Sequence, residues 1–170
     1  MSIIICRKMA SIICQDLDHC NVADYKFVKR ILVPYSDARH TPTVFGHALT
    51  LAKMLGASIL VVSVVNKDLM QHWVNGTPSR ESAMSLSSVD ILKKGIKKME
   101  QHARRFQISF DYTIIPSTKV SDTLLSIIDS QKIDLVVMGS KGHGMWKEML
   151  LGRVSSSIAI NAKCPVLLVK

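Results

Sequence analysis

Ser58–Val65 reads SILVVSVV, an octapeptide in which two serines are the only breaks in a run of aliphatic, mostly β-branched side chains. Apolar residues fall at both odd and even positions, so a strand built from them has no face suited to water. Burial on both faces is the property of a central strand in a parallel sheet with helices on either side. Upstream, Thr41 is placed as a helix N-cap and Pro42 at the first helical position, where its missing N–H costs nothing. Val44, Phe45, Ala48, Leu51, Ala52 and Leu55 recur at helical spacing, and Gly56 stands where a C-cap glycine belongs. RILVP (residues 30–34) is a shorter buried strand ahead of that helix.

Downstream, residues 66–85 form a polar connection of roughly 20 residues, long enough to be partly structured or functional. A basic amphipathic helix is expected over about 86–106, with Gly95 as a weak point costing on the order of 1 kcal/mol relative to alanine. ISFDYTII alternates in polarity and reads as a less buried strand; Val120–Gln131 reads as a helix, DLVVMG as a strand, RVSSSIAINA as the last helix and CPVLLVK as the closing strand. The order from Arg30 is βαβαβαβαβ, and right-handed crossovers turn such a chain into an open, parallel, doubly wound sheet of the α/β class. Residues 1–28 carry no clean period and are read as an extension of unassigned role to a single domain spanning 29–170.

At 170 residues, 48% apolar and 21% charged, the chain has the composition of a soluble globular domain. No apolar run approaches the roughly 18–20 residues that cross a bilayer. In MSIIICRKMASIIC the pair Arg7–Lys8 interrupts the apolar run rather than preceding it, unlike a secretory signal, so the cytoplasm is the expected compartment. Cys6, Cys14, Cys20 and Cys164 match no common zinc spacing and read as reduced thiols. The net charge of +9 favours anionic partners. Much of it lies in Lys93, Lys94, Lys97, Lys98, Arg104 and Arg105, on the helix side opposite Val89, Leu92, Ile96, Met99, Ala103 and Phe106. This is the pattern of a solvated outer face. Nucleic acid or an acidic membrane is the weaker alternative, because no aromatic residue is interleaved to stack a base.

Ligands of open parallel sheets sit at the carboxyl ends of the strands, where the strand order reverses. Those ends here are Pro34–Tyr35–Ser36–Asp37, Val65–Asn66 and the stretch from Gly139. The last of these, GSKGHGMWKEMLLGRVSS, leaves a buried strand through a bare cationic loop. Gly139, Gly142, Gly144 and Gly152 let backbone N–H groups approach a ligand closely. Gly152 precedes the final helix, whose N-terminus favours an anion, and Lys141, Lys147 and Arg153 add positive charge. Ser155 and Ser156 place hydroxyls in the first turn of that helix. A phosphate suits this arrangement, and so does a plain tight turn: neither the P-loop pattern nor the full dinucleotide fingerprint is present.

The spacing Gly139, two residues, Gly142, nine residues, Gly152 resembles the signature of the universal stress protein family. CPVLLV resembles that family's closing strand, and ILVP with ALTLAKMLGASILVVSVV its opening half, so the likeness covers residues 29–170. The resemblance implies a Rossmann-like sheet of five strands in 3-2-1-4-5 order counted from Arg30, a homodimer and, in one branch, ATP with or without Mg2+. Carried over to this chain, Gly139, Ser140, Lys141, Gly142, His143, Gly152, Arg153, Val154 and Ser155 belong to the sugar–phosphate end. Pro34, Tyr35, Ser36, Asp37 and Val65 belong to the adenine side. Two positions depart from the family pattern. Arg153 replaces a small hydroxyl residue and either adds a phosphate contact or fills the pocket. Ser36 stands where aspartate is usual, with Asp37 one residue later.

No catalytic set accompanies the loop: His143 has no carboxylate placed by sequence to orient it, and Ser155–Ser157 lack a nucleophile elbow. The expected function is an ATP-binding regulatory or stress-response protein, with slow hydrolysis at most. The alternative is a nucleotide-independent dimeric adaptor. The dimer is expected through Val166, Leu167, Leu168 and Val169, an apolar strand read as an open sheet edge that proline at Leu167 or Val169 would break.

Overall fold

The computed structural model describes residues 3–5, 28–36, 41–66, 80–140 and 151–170, with residues 3–5 and 80–88 described by backbone alone. In chain order the elements are β1 (Ile3–Ile5), β2 (Arg30–Pro34), α1 (Thr41–Leu55), β3 (Ser58–Val65), α2 (Arg80–Arg105), β4 (Phe110–Pro116), α3 (Val120–Ser130), β5 (Leu135–Gly139), α4 (Arg153–Asn161) and β6 (Val166–Val169). The sheet runs β1-β6-β5-β2-β3-β4. Its five parallel strands follow the expected 3-2-1-4-5 order.

Period-two patterning sorts the strand residues onto two faces. Ile31, Val33, Ile59, Val61, Leu135, Val137, Leu167 and Val169 pack under α1 and α2. Leu32, Leu60, Val62, Val136, Met138, Val166 and Leu168 pack under α3 and α4. This two-sided burial is what the run Ser58–Val65 demands, and β3 lies inside the sheet between β2 and β4. The edge strand β4 is only partly buried, as its alternating sequence implies. Helix α2 begins at Arg80, so the long connection before it is partly helical.

Gly56 closes α1 at φ +64, a conformation glycine adopts freely. The two other described helical glycines differ sharply. A Cβ on Gly46 meets nothing within 4 Å, whereas one on Gly95 falls far inside contact distance of the Tyr35 hydroxyl and 2.9 Å from Tyr35 Cζ. Gly95 is therefore not a simple weak point in α2. It is the gap into which the Tyr35 ring fits.

The sheet is tied to the loop preceding β5 by Asp134. Its Oδ2 accepts the backbone N–H groups of Lys29 at 2.9 Å and Arg30 at 3.0 Å, and its own N–H donates to Arg30 O at 3.0 Å. These contacts set β2 and β5 in register at their amino ends.

Two expectations about the closing strand change. The open edge expected at β6 is occupied by β1, which pairs with it antiparallel, Ile3 opposite Leu168, Ile4 opposite Leu167 and Ile5 opposite Val166. The extension, assigned no role from sequence, thus supplies a sixth strand. The directions of the β6 backbone groups also differ from the proline expectation. Val136 N–H donates to Pro165 O and Ser140 N–H to Val169 O, so 165, 167 and 169 face β5. By alternation, the backbone groups of Val166 and Leu168 face β1. Proline at Leu167 or Val169 would damage the interior of the sheet rather than its edge.

Gly46→Ala is expected to raise stability by roughly 0.5–1 kcal/mol through helix propensity. Gly95→Ala is expected to lower it by about 1–3 kcal/mol, because the propensity gain is overridden by overpacking against Tyr35. Urea unfolding of the two variants in parallel checks both signs. Asp134→Ala removes a charged acceptor from two backbone donors and is expected to cost about 1.5 kcal/mol or more in the same measurement.

Candidate functional site

The carboxyl ends of β2, β3 and β5 lie side by side because β2 pairs with β3 on one side and β5 on the other. The chain reaches β3 from β2 in one direction and β5 in the other, which makes this the switch point of the sheet. Pro34, Tyr35 and Ser36 end β2, Val65 ends β3, and Gly139 and Ser140 end β5. The topology therefore brings Pro34, Tyr35, Ser36, Val65, Gly139 and Ser140 of the expected set to one rim. Asp37, Lys141, Gly142 and His143 lie outside the described residues.

The Tyr35 side chain does not face that rim. It is 6% exposed and belongs to the core under α1 and α2, with its ring against Gly95. Its backbone is held from both ends: the N–H donates to Val62 O at 2.8 Å, and the carbonyl accepts the Ser63 hydroxyl at 2.9 Å. Ser63 is fully buried, and this bond is why a hydroxyl is tolerated inside β3. Ser36, one residue on, is exposed, and Pro34 and Val65 are half-buried. Sequence reasoning passed over Ser63, although a lone hydroxyl inside the run LVVSVV was a signal that a buried partner awaited it.

The other half of the rim is a clasp around one carbonyl. Ser140 O accepts the Gly152 N–H at 2.8 Å and the Ser155 hydroxyl at 2.7 Å, joining the end of β5 to the start of α4. Ser155 is 3% exposed, and its hydroxyl also lies 3.0 Å from Gly152 O. Gly152, expected to offer its N–H to a phosphate, here gives it to the protein. Gly152 is the N-cap of α4 with extended backbone angles and no side-chain cap. The first intrahelical bond runs from Ser156 N–H to Gly152 O at 2.8 Å. The N–H groups of Arg153, Val154 and Ser155 precede it and have no partner within the helix. They bear the positive end of the helix dipole. Val154 is half-buried against the core, whereas Arg153 is exposed. The start of α4 thus carries three N–H groups without intrahelical partners beside the exposed Arg153, and Ser140 and Ser155 tie it to the end of β5.

Among the described residues no group of three or more His, Cys, Asp or Glu is placed to hold a metal. Cys164 is buried in the core under α3 and α4; Cys6, Cys14 and Cys20 lie outside the described residues. Among the described residues no helix is long and apolar enough to cross a membrane. Lys93, Lys94, Lys97, Lys98, Arg104 and Arg105 are all exposed, Arg104 pairing with Glu100 at 2.7 Å one turn away. Leu92, Ile96, Met99 and Ala103 are buried on the other side and Val89 is half-buried there, whereas Phe106, expected on the same face, lies just past the end of the helix and is exposed.

Known proteins with the same architecture agree with this geometry. The model of the universal stress protein family matches residues 28–170. A universal stress protein of Methanocaldococcus jannaschii is 27% identical over 145 residues, 84% of this chain and 82% of the relative. Universal stress protein UspA from Lactobacillus plantarum superposes with a TM-score of 0.70 at 18% identity, covering 86% of this chain and all of that one (100%). Two further solved structures, each at 16% identity and a TM-score of 0.58 over 85% of this chain, are a universal stress protein in complex with cAMP and the Archaeoglobus fulgidus universal stress protein in complex with dAMP; they are covered to 98% and 100%. With its strand order, its glycine spacing and a family match over all but the amino-terminal extension, this chain belongs to the universal stress protein family.

Proposed function

We propose that this protein binds an adenine nucleotide at the rim formed by β2, β3, β5 and the start of α4, and acts as a nucleotide-responsive regulatory or stress-response protein in the cytoplasm. The observation that carries the reading is the start of α4. Three N–H groups without intrahelical partners sit at a switch point, beside an exposed Arg153 and on a turn clasped by Ser140. Relatives of the same fold hold cAMP and dAMP, which supports adenine as the base. The finer assignment is ATP, with or without Mg2+. Its phosphates lie at Gly139, Ser140, Lys141, Gly142, His143, Gly152, Arg153, Val154 and Ser155, and its base side lies at Pro34, Tyr35, Ser36, Asp37 and Val65. Within that set Tyr35, Gly152 and the Ser155 hydroxyl act through position. Tyr35 anchors the base-side turn from the core, and Ser155 holds the clasp.

Arg153 is assigned as a phosphate ligand rather than a plug, because its cation stands in the first turn of α4, at the positive end of the helix where an anion is favoured. A homodimer belongs to the same reading, two copies joining along Val166, Leu167, Leu168 and Val169. In this chain that assembly requires Ile3–Ile5 to give up the edge. One observation favours the nucleotide-independent adaptor instead: the Gly152 N–H and the Ser155 hydroxyl are both satisfied by Ser140 O.

Titration calorimetry with ATP, dAMP and cAMP separates the two readings, together with absorbance near 260 nm of the supernatant after denaturing the purified protein. Arg153→Ala is expected to weaken ATP binding by about 1.5–3 kcal/mol, the range for a charge-assisted contact. Gly142→Val is expected to weaken it at least tenfold, about 1.4 kcal/mol, with the fold kept. Tighter ATP binding by Arg153→Ser would make Arg153 the plug, and absence of any nucleotide binding would leave the adaptor.

A further inference from the structure

The sheet edge that the sequence presents as open is closed by the same chain. β6 is apolar throughout and buried on both faces, and its outward backbone groups belong to Val166 and Leu168. Left bare, such an edge is a template for another strand. Ile3–Ile5 supplies that strand antiparallel, the same sense in which a second β6 would approach about a two-fold axis. One site thus has two competing occupants of the same geometry, a segment of this chain and a second copy of it.

Their relative strength follows from length and attachment. β1 has three residues, and in an antiparallel ladder with Val166 and Leu168 facing it, only Ile3 and Ile5 exchange backbone hydrogen bonds with β6. A three-residue edge strand bonded on one side only is drawn from the low-stability end of a fold and opens without global unfolding. Covalent attachment compensates. A strand on the same chain competes at an effective concentration on the order of millimolar, whereas a second copy is present at roughly micromolar concentration. The cap therefore wins in isolation and loses when anything competes for Ile3–Ile5 or weakens their pairing.

We propose that β1 is a detachable edge cap that controls self-association: docked on β6 it keeps the chain monomeric, and released it exposes Val166 and Leu168 for antiparallel pairing with β6 of a second copy. The inference deepens the dimer reading above and is independent of nucleotide binding.

The test uses the full chain and the double variant Ile3→Pro/Ile5→Pro, which removes both β1 donors facing β6 and leaves the domain from Arg30 onward untouched. Light scattering coupled to size-exclusion chromatography is run from about 1 to 200 micromolar, with amide exchange followed at Val166 and Leu168. The expected result is an unmodified chain that stays monomeric at low micromolar concentration, with both amides protected independently of concentration. The variant is expected to dimerise at least tenfold more tightly, with amide protection that grows with concentration. An unmodified chain that dimerises as tightly as the variant would overturn the cap while leaving the dimer in place. A variant that stays monomeric throughout, with both amides exposed, would overturn both. Open-ended aggregation of the variant without a defined dimer would overturn the two-fold pairing.

Discussion

Strand β2 is bonded to β3 on one side and β5 on the other, and that double pairing is the constraint from which the rest of the molecule follows. Both rows of its backbone groups are used within the sheet, and its alternating side chains enter both cores. The chain leaves β2 in one direction for β3 and returns on the other side for β5, which makes the carboxyl end of β2 the switch point of the sheet. Asp134 secures the opposite end of the same strand by accepting the N–H groups of Lys29 and Arg30. A single buried strand thus sets the register of the sheet and the position of its switch point.

Around the switch point, polar groups are used to hold backbone rather than to face solvent. Ser63 fixes the Tyr35 carbonyl, and Ser140 O gathers the Gly152 N–H and the Ser155 hydroxyl. Each of these groups is buried, and among the described residues no buried side-chain polar atom lacks a partner. The clasp ties the start of α4, whose first N–H groups have no intrahelical partner, to the end of β5. Tyr35 plays a similar part on the other side. Its ring is keyed into the gap at Gly95, so the turn carrying Ser36 is anchored to α2.

The same economy appears at the far edge of the sheet. A closing strand of Val, Leu, Leu and Val is stable inside a fold and hazardous at its border. Ile3–Ile5 resolves the hazard within one chain. This strand lies outside the family-matched residues 28–170.

From Arg30 onward, the sequence by itself determined the elements and their order. Apolar parity in Ser58–Val65, helical spacing from Val44 to Leu55 and the glycine at 56 each act over a few residues, so local physics is sufficient to read them. It also carried the family signature, since the spacing of Gly139, Gly142 and Gly152 is a linear property of the chain. Only the tertiary structure decided what individual groups do there. The cost of Gly95 depends on a tyrosine two elements away, and the use of the Gly152 N–H depends on a carbonyl at the end of another strand. The direction of the Val166 and Leu168 groups depends on which neighbour β5 claims first, and the closure of their edge depends on three residues at the other end of the chain. Periodicity records which side of an element is apolar; it carries no record of which distant partner that side, or that hydrogen bond, will meet.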